Sequence, residues 1–239
     1  MRRTIRTGSL YLLLLCVTIL AAHGTGLSIS YFLPRGGMFS HPVPPLSVHD
    51  LGLDFSRYLG TAASLGLYNI RGMGIKDADG SPIESGAPLI GPFVSVLGSV
   101  RAMVKIPIRR LKFEAGGGVF GYYNIDPPLM DGNLDRYLAT SAPPTVYESV
   151  TSSVSAAGRW GWGWVFGGRA IYFVKGQIGI SLGAKYYLGG SPLRLSGSYD
   201  AYDDDLLGYV TGADLPPELQ SARLDYSGVE IILGVELEL

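Results

Sequence analysis

The residues best suited to catalysis are two histidines with polar neighbours. His41 follows Ser40 and His49 precedes Asp50, so a nucleophile, a base and an orienting carboxylate lie close together in the sequence. A hydrolase needs its nucleophile and base within hydrogen-bond reach, whereas the side chains of adjacent residues usually point apart. We therefore predict that the chain is not an enzyme and assign no catalytic residue. A lipid-modifying enzyme stays as a remote alternative.

A run of glycines at 116–121 satisfies the dinucleotide-binding pattern G-x-G-x-x-G. That pattern requires a strand before it and a helix that opens within it. Here the glycines lie inside a period-two pattern that continues to Tyr123, which indicates the interior of a strand. We therefore predict glycines that leave room for bulky neighbours, and no bound cofactor.

Acidic residues at 77–80 begin like a calcium-binding loop, and 203–205 is a run of three aspartates. The characteristic calcium loop ends in a glutamate at its twelfth position. Counted from Asp77, that position holds Pro88. We therefore interpret both clusters as solvated turn residues and predict no metal site.

Residues 1–24 have the composition of a secretory signal peptide. Three arginines within the first six residues precede an apolar core at 10–22, which ends close to the small residue Gly24. A core of this length fits a cleaved signal and is shorter than the about 20 residues that span a bilayer. Cleavage leaves one mature domain, 25–239, and removes Cys16, the one cysteine, which excludes disulfides and thiol catalysis. The net charge of −1 gives no reason to expect a nucleic-acid partner.

Apolar residues recur at every second position along much of the mature chain. Six of seven alternate positions at 94–106 are apolar, and so are all six at 229–239. Successive residues of a strand point to opposite faces, so these segments are strands with one apolar and one polar face. Their length suits a membrane strand of about 9–11 residues, and a sheet in a bilayer must close on itself. The predicted fold is all-β, a closed antiparallel eight-stranded transmembrane β-barrel, with a secreted soluble β-protein as the alternative.

Connection lengths support the count of eight strands. We predict strands near 26–34, 50–58, 62–72, 92–106, 111–124, 169–188, 193–202 and 223–239. Short connections at 59–61, 107–110 and 189–192 alternate with long ones at 35–49, 73–91, 125–168 and 203–222. This alternation is typical of outer-membrane barrels, whose turns are short on the periplasmic side and long outside. Ten strands would result if 159–166 added a hairpin, and 125–158 is long enough to carry a short helix.

The same alternation assigns balanced charges to the polar inner face. Six basic and six acidic residues point inward: Arg101, Lys105, Lys112, Lys175, Lys185, Arg194, Asp54, Glu114, Asp200, Glu230, Glu236 and Glu238. The interior of an eight-stranded barrel is just wide enough for its side chains to fill, so these charges predict buried pairs and not an open pore. If residue 103 faces residue 114 across the turn at 107–110, Arg101 lies diagonal to Glu114 and within its reach.

All three tryptophans lie in one short stretch, where Trp160, Trp162 and Trp164 alternate with glycines. Tryptophan favours the membrane–water interface, because its ring is apolar and its N–H group needs a polar partner. We predict a loop segment at the outer interface of the membrane. A vestibule for a hydrophobic ligand is the alternative.

The C-terminal residues resemble the sorting strand of bacterial outer-membrane proteins. Gly234, Leu237 and Leu239 fall in register with its glycine, its apolar residue and its terminal aromatic. Two positions depart from the pattern: Ile232 replaces a polar residue, and Leu239 replaces the aromatic. The resemblance implies recognition by the barrel-assembly machinery.

The whole mature chain resembles small outer-membrane barrels of the OmpW and OmpA-transmembrane-domain type, including those of spirochaetes. This resemblance implies a place in the bacterial outer membrane, in contact with outer-membrane lipid. It also implies a structural or surface-interaction role, in which the long loops bind an extracellular ligand. The OmpW likeness implies the alternative of a porin-like conduit for small apolar solutes.

Overall fold

The computed structural model of the protein describes residues 26–35, 41–42, 47–83, 87–141, 147–203 and 208–237. The predicted signal peptide and the last two residues, Glu238 and Leu239, lie outside the described residues. Within these ranges, no helix has the length and apolar character needed to cross a membrane.

The described residues form mostly β-strands. The strands are β1 (Gly26–Pro34), β2 (His41–Pro42), β3 (Ser47–Asp54), β4 (Leu59–Ile70), β5 (Ile75–Lys76), β6 (Pro82–Ile83), β7 (Phe93–Ile108), β8 (Leu111–Ile125), β9 (Ser149–Ala157), β10 (Trp160–Lys175), β11 (Ile178–Pro192), β12 (Arg194–Asp203), β13 (Gly208–Asp214), β14 (Arg223–Asp225) and β15 (Gly228–Leu237). The helices are α1 (Asp131–Ser141) and α2 (Pro217–Gln220). Helix α1 is the short helix predicted within 125–158.

Eight long strands form most of the main antiparallel sheet, which has twelve strands. Followed from neighbour to neighbour, their ladders run β1–β15–β11–β10–β8–β7–β4–β3, and β3 pairs in turn with β1. The short strand β14 extends this sheet by pairing with β11 and β5, and β5 pairs with β6. A second sheet of three strands has the order β13–β12–β9. The predicted all-β antiparallel class is therefore confirmed.

Short and long connections alternate along the eight strands, as predicted, but the first predicted short connection, 59–61, lies within β4, and the turn precedes it. The short ones are 55–58, 109–110 and 176–177, and the long ones are 35–46, 71–92, 126–159 and 193–227. All three short turns therefore lie at one end of the sheet. The long connections lie at the other end.

Three elements predicted between 169 and 202 are wrong. The predicted single strand 169–188 is two strands, because β10 turns into β11 at Gly176 and Gln177. A two-residue turn normally switches the outward side chains from even to odd positions, but the register shift between Phe173 and Lys175 adds one residue to β10. Even residues therefore face outward in both strands, and the alternation passes through the turn without a break. The predicted turn 189–192 belongs to β11, and the predicted strand 193–202 is β12 of the second sheet.

The main sheet has a buried inner face and an exposed outer face. In β15, buried residues alternate strictly with exposed ones, and the exposed ones are Val229, Ile231, Leu233, Val235 and Leu237. The same alternation holds through most of β4, β7 and β11. The outer face is therefore the apolar one, and the inner face carries the polar residues.

Three of the four long connections contribute to one buried cluster and form what we call the cap. The cap consists of the described residues of 71–92, 126–159 and 193–227. Ten of its apolar side chains are fully or almost fully buried, namely Met73, Ile75, Leu89, Ile90, Leu134, Leu138, Leu193, Leu215, Leu219 and Leu224. They belong to the same buried cluster as the aromatic residues of the inner face. Backbone bridges from Ile90 to both Met73 and Leu129 join two of the connections.

Glycines on the inner face make room for large aromatic rings. Gly163 and Gly189 are paired across β10 and β11, and the ring of Phe120 lies against both. A Cβ atom added to Gly189 would lie 2.7 Å from the ring of Phe120 and 2.7 Å from a backbone oxygen. Any larger residue at position 189 must displace the ring or the neighbouring strand.

We expect Gly189→Ala to lower the free energy of unfolding by about 1–3 kcal/mol, the usual cost of overpacking. The measurement is a urea titration followed by tryptophan fluorescence. The matched control is Gly132→Ala in α1, where an added Cβ meets no atom within 4 Å, and where alanine favours the helix. Equal effects of the two substitutions would contradict this packing.

Candidate functional site

The inner face of the main sheet concentrates buried charges. Arg101, Lys105, Glu114, Lys185, Glu230 and Glu236 are all buried there. Lys112 also faces inward and is largely covered. Sequence alternation assigned these seven side chains to the inner face, and the structure places them there. A buried charge is costly unless it is paired, so their partners decide what this region can do.

Arg169 of β10 joins two carboxylates from other strands. Its Nε donates to Oε2 of Glu114 on β8 at 2.7 Å, and a terminal nitrogen donates to Oε1 of Glu236 on β15 at 2.6 Å. The hydroxyl of Ser181 on β11 donates to the same oxygen of Glu236 at 2.9 Å. This group, called the arginine bridge, ties β8, β10, β11 and β15 together through their inner face.

Two lysines complete the surroundings of Glu114. The Nζ atom of Lys112 lies 3.3 Å from its Oε1, and that of Lys105 lies 3.9 Å away. Lys105 also forms an ion pair with Asp54 near the end of β3. Three cations therefore surround the single carboxylate of Glu114.

The predicted partner of Glu114 was wrong. Lys105 lies opposite Glu114 in the ladder, and Arg101 lies opposite Gly118. The turn holds only residues 109–110, whereas the prediction assumed four residues at 107–110. This difference moves the register by two positions and separates Arg101 from Glu114 along the strand.

A second group surrounds Glu230, which is fully buried. The hydroxyl of Tyr187 donates to its Oε2 at 2.6 Å, and that of Tyr68 donates to its Oε1. The Nζ atom of Lys185 lies 3.7 Å from Oε2 and donates to the hydroxyl of Ser64 at 3.2 Å. A cation and two phenols are therefore among the partners of this carboxylate.

An aromatic layer lies on the inner face between these ionic groups and the cap. Tyr122 and Tyr226 stack with ring centroids 3.9 Å apart, and Phe120 contacts Tyr187 edge to face at 4.9 Å. Phe32 stacks on Tyr226 at 5.5 Å. These five rings come from separate parts of the chain and occupy the space that the neighbouring glycines leave free.

Polar contacts join the segments of the cap to one another. Lys76 of β5 forms an ion pair of 2.8 Å with Asp225 of β14. The side chain of Asn133 in α1 donates to the backbone oxygen of Pro88 at 2.8 Å. Burial raises the pKa of Tyr137 in α1, and the charges of Glu218 and Asp77 raise it further, so α1 lies near both other segments of the cap.

Three charges predicted to face inward lie elsewhere. Arg194 is exposed on β12, and Asp200 of β12 accepts a hydrogen bond from the backbone of Gly212. Both belong to the second sheet, so the alternation of the main sheet does not apply to them. Lys175 is exposed at the last position of β10, after a register shift in its ladder with β11.

The three tryptophans lie in a strand and not in a loop. Trp160, Trp162 and Trp164 occupy the first positions of β10, on the outer face, and each is more than half exposed. The ring of Trp160 lies 4.6 Å from that of Tyr123 on the neighbouring strand. Their position at a membrane interface stays a prediction.

The remaining candidates from the sequence are the glycine run, the acidic turn residues and the two histidines. The glycine run at 116–121 lies within β8, as predicted, and no helix follows it directly. Asp77 accepts a hydrogen bond from the backbone of Ser81 and so closes a turn. In the described ranges, no three His, Cys, Asp or Glu side chains are placed to hold a metal ion. His41 and His49 lie in β2 and β3, but their side chains are outside the described part.

Sequence reasoning missed Arg169, the centre of the arginine bridge. A signal for it existed, because Trp160, Trp162, Trp164 and Phe166 form an outward row at even positions. Odd positions of the same strand must then point inward, and Arg169 is one of them. Gly234 and Leu237 of the sorting pattern lie in β15, and their role in sorting stays a prediction.

We expect Arg169→Ala to lower the free energy of unfolding by about 3–5 kcal/mol, because two carboxylates would lose their shared cation. Arg194→Ala, at an exposed position, is the matched control and should change it by less than about 0.5 kcal/mol. Arg169→Lys, which keeps the charge but not the fork of donors, should give an intermediate loss. Urea titration of the refolded proteins gives all three values, and similar losses for Arg169→Ala and Arg194→Ala would refute the bridge.

No protein-family model matches the chain, and a search of curated proteins finds no match. A search of solved structures finds similar ones. OprG from Pseudomonas aeruginosa has 8% sequence identity and a TM-score of 0.49, over 91% of this chain and 94% of that one. A major outer-membrane protein from Thermus thermophilus has 14% identity and a TM-score of 0.41, over 91% and 100% of the two chains. Outer-membrane protein W from E. coli has 10% identity and a TM-score of 0.34, over 91% and 97%. All three are outer-membrane proteins, the class that the sequence resembles.

Proposed function

We propose that this chain is a closed, eight-stranded transmembrane barrel of the bacterial outer membrane. Its interior is occupied by its own side chains, and its cap forms a folded surface on the outside of the cell. The role is structural and interfacial: the barrel anchors the cap, and the cap binds an extracellular partner. The observation that carries this proposal is the arginine bridge, which spans the inner face where a conduit would need open space.

The pattern of pairing supports a closed barrel. Each of the eight long strands has a neighbour on both sides, and the ladder between β10 and β11 extends from Trp162 to Lys175. In hydrocarbon, a backbone donor or acceptor without a partner costs several kcal/mol. A ring of paired strands satisfies this requirement because it has no free edge.

The outer face supports contact with lipid. Leu182, Leu233 and Val100 are 60%, 56% and 56% exposed, and they belong to rows of apolar side chains on three different strands. A soluble protein rarely exposes a continuous apolar surface of this extent. In a membrane, lipid chains would cover this apolar surface, which would then not be exposed to water.

The connections support an orientation. In outer-membrane barrels the short turns face the periplasm and the long connections face outward. The turn at 109–110 therefore lies on the periplasmic side, and the cap lies outside. The tryptophans at the start of β10 then lie near the outer interface, where such residues are enriched.

The interior favours a filled barrel over a conduit for small apolar solutes. The groups around Glu114 and Glu230 are ionic, and the aromatic layer lies between them and the cap. A passage for apolar solutes would need an apolar route, whereas the buried side chains of Lys185 and Ser181 contact Glu230 and Glu236. Ile232 is the apolar residue between these two glutamates on β15. The cap adds a second obstruction at the outer end.

The cap favours a partner that recognises a folded surface. Its core is buried and its segments are joined by ion pairs and hydrogen bonds, so its outer side chains have fixed positions. The second sheet exposes Tyr209 and Val210 on β13. Exposed tyrosine on a rigid element is typical of interaction surfaces.

The test is the conductance of the refolded protein in a planar lipid bilayer. We expect no stable conductance steps, with a water-filled porin as the positive control. The variant Arg169→Ala/Phe120→Ala/Tyr122→Ala/Tyr226→Ala removes the arginine bridge and three inner rings, and it should produce steps. The variant Arg194→Ala/Phe166→Ala/Tyr172→Ala/Tyr186→Ala makes the same composition change at exposed positions and should not. Stable conductance steps from the unchanged protein would contradict the filled-barrel proposal and favour a conduit.

A second test concerns the outer face of β15. In a bilayer, arginine at mid-depth costs about 2–4 kcal/mol and near the interface about 0–1 kcal/mol. Leu233→Arg should therefore cost more folding free energy in lipid vesicles than Leu237→Arg, which lies at the end of the strand. A flat profile over positions 229–237, or a protein that stays soluble without detergent, would contradict a membrane barrel.

A further inference from the structure

A pocket of about 670 Å³ lies at the end of the sheet that carries the short turns. Its lining comes from all three of these turns and the strands beside them. Four exposed basic residues contribute to it, namely Arg57, Arg109, Arg110 and Lys175. Residues that lie far apart in the sequence are thus gathered around one opening.

The charge of this pocket is strongly positive. Its one acidic lining residue, Asp54, is paired with Lys105, and the lining residue Lys112 is paired with Glu114. Within the described ranges, no carboxylate lies within ion-pair distance of the four exposed cations. With these two acids paired, the four basic residues leave the pocket lining with a net positive charge.

One side of the pocket is apolar. Leu111 and Val174 line it, and both belong to the exposed outer rows of β8 and β10. Phe173 and Pro107 contribute further apolar surface. A ligand that combines an anionic group with an apolar part would satisfy both sides.

The turn between β7 and β8 places arginine where another residue would fit the backbone better. Arg109 has a φ angle of +53°, in the left-handed region that glycine and asparagine occupy most easily. A two-residue hairpin turn requires such an angle at a central position. Both residues of this turn, Arg109 and Arg110, line the pocket.

We propose that this pocket binds the phosphate diester of an anionic glycerophospholipid in the periplasmic leaflet. Guanidinium groups bind phosphate oxygens through paired hydrogen bonds, and Arg57, Arg109 and Arg110 supply three of them. The acyl chains would then lie along the apolar outer rows that begin at Leu111 and Val174. This site rests on the proposed function, because only a membrane barrel with its short turns in the periplasm brings the pocket to that leaflet.

The experiment measures binding to the full mature chain refolded in zwitterionic micelles. Calorimetric titrations use short-chain phosphatidylglycerol, short-chain phosphatidylcholine and inorganic phosphate. We expect phosphatidylglycerol to bind at least about tenfold more tightly than the other two. The variant Arg57→Gln/Arg109→Gln/Arg110→Gln should weaken its binding at least about tenfold, since each cation near a membrane surface adds attraction for anionic lipid.

The matched control is Arg71→Gln/Arg136→Gln/Arg194→Gln, which removes three exposed arginines outside the pocket. It changes the net charge equally and should leave the affinity unchanged. Equal losses in both variants, or equal affinity for phosphatidylcholine, would overturn recognition by the pocket. Inorganic phosphate binding as tightly as phosphatidylglycerol would show an anion site without a lipid.

A separate readout distinguishes failure of this site from failure of the barrel. The same samples are tested for insertion into vesicles, by protection of the strands from protease. Insertion without selective binding overturns the lipid site alone. A chain that does not insert overturns the barrel and the lipid site together.

Discussion

The guanidinium of Arg169 lies between two carboxylates, and much of the interior depends on this contact. Glu114 comes from the adjacent strand and Glu236 from two strands away, so the contact fixes the curvature of the sheet as well as its charge. Each of these ions would be costly alone in a poorly hydrated space. Lys105 and Lys112 add positive charge around Glu114, and Asp54 forms an ion pair with Lys105. Removal of Arg169 would take a cation from both Glu114 and Glu236.

The sequence was sufficient for the faces of the strands but not for their neighbours. A period of two residues shows which side chains share a face. It assigned Lys185, Glu230 and Glu236 to the inner face, where they are buried. Register depends on the exact length of a turn, so the two-residue turn at 109–110 moved Arg101 away from Glu114. The turn at 176–177 went unseen because even residues stay outside on both sides of it. Arg194 was misplaced because β12 leaves the main sheet, and alternation carries no information about which sheet a strand joins.

The two ends of the molecule differ in how accessible they are. At the end of the short turns, exposed cations surround an opening that remains accessible. At the opposite end, the long connections cover the aromatic layer with an apolar core of their own. Neither arrangement was foreseen from the sequence, because the cap core and the basic pocket both combine residues from distant segments. Contacts of that kind follow from topology, which a local pattern does not specify.

The composition of the cap core also constrains the order of events during folding. Met73, Leu138 and Leu224 all contribute to the one buried cluster, although most of the chain separates the first from the last. Bringing such distant residues together early would cost considerable loop-closure entropy, and contacts of long sequence separation form slowly. Pairing of the intervening strands removes most of that cost. The cap should therefore be the last part to assemble, and a chain arrested before β15 joins β1 would carry exposed apolar segments that favour aggregation or degradation.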